Sequence, residues 1–429
     1  MSSEYAPRIM AMTESKPGPI RTGETDWAYF GWRVVLAACF GVMVGFGSLF
    51  VYTFAVFVRP LGAEFGWGRE AISRGFGFAA LTVGFCSPTL GHWLDRWGPR
   101  HIILPCLVTF GCGIASLALL GRHLWQFYGT CIVLGAVGNG AAHLAYSRAI
   151  STWFRERLGM ALALVMAGAG LGAMLLPLVA QAVVSRWGWR AAYLCLGALV
   201  LLLGLPLSWR YIHEPGPVRG GSSPAKDAGM TWQQGVRTFP FWVIVIVLFA
   251  SSISMNGAIT HLVALLTDRG ITIRDAALCA ALLGGSSLLG RMAVGWLLDR
   301  FFGPRVAFGA YLITAAGIFL LARARGFGEG ALAALLMGVG AGGEADITPY
   351  LLTRYFGLRA FSTLYGLTWT FYAIAGALGP VLLGRAFDAT GSYAALLNVL
   401  AVTTGLAATL MLALPRYSSG GTIESTGHL

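Results

Sequence analysis

Apolar runs of about 20 residues recur along this chain almost without pause, and that length is what a hydrocarbon core of about 30 Å demands of a helix. Twelve such runs are expected, at 34–57, 73–92, 102–120, 125–147, 159–183, 191–208, 240–265, 276–297, 306–322, 330–351, 362–384 and 394–414. Only 11% of the 429 residues are charged and 56% are hydrophobic, whereas a soluble domain carries roughly 25% charged residues. Too few charges remain to coat water-facing domains, so disorder, a coiled coil and a disulfide-rich secreted fold are excluded with the soluble one. Inside a bilayer each segment must satisfy its own backbone hydrogen bonds, which helices of this length do. The expected class is an all-α membrane protein of twelve transmembrane helices.

The net charge of +12 reads as topology. A nucleic-acid binder would gather its cations on one face, but here they stand singly at segment ends, and no basic run exceeds Arg155-Glu156-Arg157. An even number of spans places both termini on one side. That side then holds 18 Lys and Arg, the other side 11, and Arg291 stands within a span. The bias makes the termini cytoplasmic in a cell membrane. Residues 1–31 lack a signal-peptide core and read as a disordered tail, 32–208 as one six-helix bundle, and 209–238 as a polar linker. A second bundle follows at 239–414, then a tail at 415–429. The seven cysteines lie in apolar stretches without a CxxC pair, so neither a metal site nor a disulfide frame is expected. No cofactor is expected either.

The two halves echo each other. Gly91-His-Trp-Leu-Asp95-Arg96-Trp-Gly98-Pro99-Arg100 reappears about 204 residues later as Gly295-Trp-Leu-Leu-Asp299-Arg300-Phe-Phe-Gly303-Pro304-Arg305. Trp153-Phe154-Arg155-Glu156-Arg157 has its counterpart in Tyr355-Phe356-Gly357-Leu358-Arg359. Two pseudo-symmetric six-helix bundles in parallel repeat resemble the major facilitator superfamily, and the first of these segments matches that superfamily's loop motif GxxxDRxGxR. Within it, the segment 26–35, the run from Trp153 to Gly172, and Arg291 four residues before Gly295 resemble the bacterial monocarboxylate-transporter and oxalate–formate-exchanger group. The resemblance implies a latch at the loop motif. Asp95 and Asp299 would accept bonds from free N–H groups of a neighbouring helix end, and Arg96, Arg100 and Arg300 would pair with acids or lipid phosphates. The other reading is a short loop that obeys the positive-inside rule.

Ionisable groups within a span are costly and mark function. Arg291 lies about 15 residues into its span, ~22 Å of helix. Its fork suits a substrate carboxylate; the competing reading is an ion pair with an acid on span ten. Glu344 and Asp346 are the acids deep in a span. They point about 200° apart at i,i+2, so they cannot share one site, and both are candidate proton carriers. His143, His261, Asn256, Tyr52, Tyr350 and Tyr372 are candidate lining residues of a substrate path. Under the repeat offset, Arg148 of span four faces Asp346 of span ten, giving a candidate ion pair at the inner gate; otherwise Arg148 ends its span in headgroups and Asp346 binds Arg354.

Gly338-x-Gly340-x-x-Gly343 and Gly168-x-Gly170-x-x-Ala173 match a dinucleotide fingerprint but sit in apolar runs with no strand before them. With no HExxH, P-loop or GxSxG, no enzyme is expected. The expected function is a secondary active transporter, a monomer, moving a small organic anion with a proton. The alternative is an exporter or uptake permease for larger neutral or aromatic compounds. The oxalate exchanger of the group that the chain resembles carries a second cation in span eleven. Here that stretch reads Thr368-Trp369-Thr370-Phe371-Tyr372-Ala373-Ile374, so one carboxylate and an apolar tail are expected of the substrate.

Overall fold

A computed structural model describes residues 24–26, 29–213 and 229–417; the remainder of both expected tails and of the expected linker lies outside the described residues. Nine runs among the described residues are helices long and apolar enough to cross a membrane. In chain order they include α1 Phe30–Phe65 and α3 Pro99–Leu119, with α2 Arg69–Trp97 between them. The segment α4, at 124–153, is broken in its middle. The run Leu158–Tyr211 has 54 residues, about 81 Å if straight. It folds back at Gly188, whose φ of 82° suits glycine, into α5 (158–187) and α6 (189–211). The second half holds α7 Phe239–Asp268, α8 Ile273–Arg300, α9 Gly303–Arg323, α10 Phe327–Phe356, α11 Phe361–Thr390 and α12 Ala394–Ala413. Counting both legs of the folded run and adding the more polar α2 and the broken α4, whose pieces are each too short to span, brings the nine to the twelve segments of the sequence reading.

Most spans overrun their apolar stretch. The sequence reading starts span two at 73 and ends it at 92, yet α2 continues to Trp97, because amphipathic ends remain helical in the headgroup layer. Two breaks were not foreseen. In α1, Gly45 takes an extended conformation (φ −79°, ψ 178°) and a π turn spans Phe46–Val51. In α4, Asn139–Ala141 forms a 3₁₀ turn and Ala142 is extended. Freed backbone groups at this depth need partners, and Ser48 supplies one in α1, its Oγ donating to the Val42 carbonyl at 2.9 Å. At the α4 break Asn139 Nδ2 donates to Ser87 Oγ of α2 at 2.5 Å. The breaks meet: a Cβ on Gly45 would strike the Ala141 carbonyl.

The halves join through α2 against α11 and α5 against α8. Gly91, the first glycine of the repeated loop motif, explains its own identity here, since a Cβ would collide with the Ser362 backbone on α11. Its repeat partner Gly295 is likewise packed against α5, where a Cβ would come 2.7 Å from the Gly159 carbonyl. Of the expected tail, Glu24 is held by the α4–α5 loop. Its carboxylate accepts from the N–H groups of Arg155, Glu156 and Arg157 at 2.8–2.9 Å. The end of the expected linker docks at the equivalent place in the other half, where Met230 N–H donates to Phe356 O at 3.0 Å.

Candidate functional site

Between the halves, at mid-depth, α8 and α10 cross so closely that a Cβ on Gly342 would come 2.7 Å from the Arg291 backbone nitrogen. The crossing sets Arg291 against Asp346, Nη1 to Oδ1 3.6 Å, with the arginine side chain 15% exposed and the aspartate fully buried. Neither Asp346 oxygen and not Arg291 Nη1 has a hydrogen bond among the described residues. An ion pair at this separation holds charge without saturating either partner, so the guanidinium retains donors for a second acceptor.

Around the pair stand aromatic and hydroxyl groups from both halves. His143, at the start of the second segment of α4, lies over Trp369 of α11 with ring centroids 4.8 Å apart, and the Arg291 charge reaches it. Trp369 packs edge-on to Tyr372 at 5.0 Å, and Tyr365 lies one turn away at 6.4 Å from Trp369, within reach of Asp346 and Ser147. Among the described residues, the indole nitrogen of Trp369, His143 Nδ1 and Ser147 Oγ are buried without a hydrogen-bond partner. Trp369 belongs to the aromatic stretch of span eleven expected from the sequence, whereas Tyr365 and Ser147 were not singled out there. The i,i+4 spacing of Tyr365 to Trp369 on α11 was the available signal for the tyrosine.

Glu344 and Asp346 do face apart. Glu344 is buried on the other side of α10, facing Ser251 of α7, Tyr311 of α9 and Tyr372. Asn256 joins Tyr372 through Ser252, which donates to the Tyr372 carbonyl at 3.0 Å. Tyr52 of α1 is more than half exposed, within electrostatic reach of Tyr372 across the halves. Two candidates are not brought to this site. His261 Nε2 pairs with the Pro380 carbonyl at 3.1 Å toward the far end of α7, and Tyr350 O–H donates to Leu298 O at 2.6 Å near the terminal face.

The expected Arg148–Asp346 pair is not formed. Arg148 is 1% exposed, lies 3.9 Å from Asp95, and donates to the Leu358 carbonyl of the other half. The break at 139–142 resets the phase of α4, so the register of an unbroken helix does not carry past it. Burial of Arg148 also removes the reading in which it ends its span in headgroups, and Asp346 contacts Arg291 in place of Arg354. Arg354 instead donates to the Arg155 carbonyl at 2.6 Å across the halves.

At the terminal face two aspartates cap helices of the opposite half. Asp95 accepts from Ser362 and Thr363 N–H at 2.9 and 2.8 Å, and Asp299 accepts from Gly159 and Met160 N–H at 2.6 and 2.9 Å. Each meets the positive end of a helix, α11 or α5. Arg96 and Arg300 are exposed, the latter stacked over Trp296 at 3.9 Å, and Arg100 is half-buried. The hydrogen bonds between the halves run from these caps up to Thr370 Oγ1 and the Gly84 carbonyl at mid-depth. The mouth on the terminal side is therefore closed. A lost helix cap costs about 1 kcal/mol. The double variant Asp95→Ala, Asp299→Ala is thus expected to shift the population about 30-fold toward a state open on that side. Pulsed spin-label distances between exposed positions 101 and 359 should lengthen; an unchanged distribution would remove the caps from the closure.

Comparison with known proteins agrees with this arrangement. The family model for the Major Facilitator Superfamily matches residues 28–380. Monocarboxylate transporter 13 of Bos taurus is 28% identical over 401 residues, 90% of each chain. The uncharacterized MFS-type transporter YcxA of Bacillus subtilis is 25% identical over 388 residues, 88% of this chain and 94% of the other. Among solved structures, FucP in the outward conformation superposes with a TM-score of 0.69 at 17% identity, over 90% of this chain and 98% of that one. The proton:xylose symporter XylE gives 0.70 at 16%, over 92% and 97%. The chain belongs to the Major Facilitator Superfamily, whose members are transporters and not enzymes.

Proposed function

We propose that this transporter moves a small organic anion, a monocarboxylate, together with a proton by alternating access. It works as a monomer in the cell membrane with both termini cytoplasmic, and the conformation described above is the outward-open one. The observation that carries the reading is the Arg291–Asp346 pair: a largely buried guanidinium with donors to spare, beside a carboxylate with no hydrogen bond among the described residues. A substrate carboxylate can take the donors while a proton neutralises Asp346, which keeps the net charge of the site constant as both ligands enter. The naming of relatives such as monocarboxylate transporter 13 supports the substrate class.

Size and charge of the substrate follow from the lining. No Lys or Arg occurs between Arg359 and Arg385, so α11 offers no second cation. It presents Trp369, Tyr365 and Tyr372 instead. One fork and an aromatic wall fit one carboxylate with a short hydrophobic or hydroxylated tail. Purified protein in proteoliposomes should accumulate radiolabelled lactate-sized monoacids when an inward proton gradient is imposed, and several-fold less without it. Oxalate or succinate should enter at least about tenfold more slowly, because a second carboxylate is buried without a counter-ion. Equal rates for the dianions would sink the monoanion reading, and uptake indifferent to the gradient would sink the coupling.

A further inference from the structure

A cleft of about 890 Å³ opens on the face opposite the termini, away from the central pair, where the ends of α7, α9, α10 and α12 meet. Arg269, Arg323, Arg325, Glu329 and Asn398 line it. Three of the eleven cations on that face thus share one cleft, on the side where the positive-inside bias leaves cations scarce.

Helix capping accounts for one of the three. Arg269 donates to the carbonyls of Leu321, Ala324 and Ala322 at 2.8–2.9 Å and so satisfies the end of α9. With those carbonyls taken, the other two are not needed for the cap. Arg323 spends Nη1 on Asn398 Oδ1 at 2.5 Å and lies over the Phe319 ring at 3.6 Å, which leaves Nη2 and Nε for another acceptor. The Arg325 backbone N–H donates to Glu329 at 2.5 Å, while its exposed guanidinium makes no hydrogen bond or ion pair among the described residues. Glu329 is the one acid in the lining, so the cleft carries two net positive charges.

Below the cleft the surface changes character. On α9, Phe319 lies one turn back from Arg323 and Leu312 two turns further; on α12, Val402 and Leu406 follow Asn398 at i+4 and i+8. All four are exposed. These adjacent, packed helices therefore run two apolar stripes down from a cationic cleft that sits at their ends, the depth of the headgroups.

We infer that this cleft binds the phosphate of an anionic phospholipid, with the acyl chains lying along the α9–α12 stripes. Arg323 and Arg325 offer guanidinium forks, which bind a phosphate at two points, and the stripes distinguish a lipid from a free anion.

Native mass spectrometry of the full-length protein, released from micelles doped with phosphatidylglycerol or phosphatidylcholine, tests this. The wild type should retain one phosphatidylglycerol about 30-fold more strongly than phosphatidylcholine, the preference that two cations give at a lipid surface. Arg323→Gln with Arg325→Gln should abolish the preference, and the paired lysine substitutions should keep most of it. Arg269 is untouched, so α9 stays capped, and an unchanged melting temperature in lipid-free detergent verifies the fold. Equal retention of phosphatidylglycerol by wild type and the glutamine pair would overturn the site. Displacement of the lipid by millimolar inorganic phosphate would overturn the lipid assignment in favour of a free anion.

Discussion

Arg291→Lys is expected to raise KM for a monocarboxylate about 10- to 150-fold, with the protein still folded and inserted. The range follows from about 1.5–3 kcal/mol for a hydrogen bond to a charged group, taken as one arm of a two-point contact that lysine cannot reproduce. Lysine preserves the charge opposite Asp346, so the buried carboxylate keeps a partner. This is why it is more informative than alanine, which would strand Asp346 and destabilise the protein by about 3–5 kcal/mol. The measurement is initial uptake of a labelled monoacid into proteoliposomes at matched protein density, across a range of substrate concentrations. If Arg291 serves only as the structural partner of Asp346, lysine fills that role and KM stays near wild type. A transporter of neutral or aromatic compounds would show no saturable monoacid uptake in the wild type either, so the same assay separates the two substrate classes.

What could be read from the sequence was set by which signals depend on helix phase. The spans were legible because apolar length is a local property, and the loop motif because Gly91 to Arg100 is repeated with its aspartate at Gly295 to Arg305. Arg291 stood out for the same reason: a lone cation in an apolar run needs no register to be noticed. Its partner did require register. Glu344 and Asp346 are two residues apart, and choosing between them depends on which face of α10 meets α8. The close crossing at Gly342 decides that, and with 59 glycines in the chain no single one announces such a contact. The breaks at Gly45 and at 139–142 contain no proline, so nothing marked them as places where phase is lost. The repeat offset paired Arg148 with Asp346 at matching depth in facing spans, but an offset carries no helix phase, and past the break in α4 Arg148 turns toward Asp95 and Leu358. Glu24 had no signal at all: an acid before the first span gains meaning only through the three amides that fold around it.

Asp346→Asn is expected to abolish proton-driven accumulation while leaving exchange of internal for external monoacid within a few-fold of wild type. Asparagine matches the shape of the protonated acid and removes the negative charge, so the variant resembles a transporter whose proton never leaves. Arg291 then has no buried counter-ion, and its affinity for an anion should rise, because the substrate carboxylate no longer competes with Asp346 for the guanidinium. The pair is 3.6 Å apart and closed from solvent on the aspartate side, so the competition is direct. Two assays separate the consequences. Uptake against a concentration gradient, driven by an inward proton gradient, should fall to the level of protein-free vesicles; counterflow at equal pH should persist, with KM lower than that of the wild type. Glu344→Gln is the control on the same helix. Glu344 faces Ser251, Tyr311 and Tyr372, away from Arg291, and its loss should leave the response to the proton gradient in place. Should Asp346→Asn accumulate substrate as steeply as the wild type while Glu344→Gln does not, the proton is carried on the other face of α10. The Arg291–Asp346 pair would then be a fixed element of the binding site.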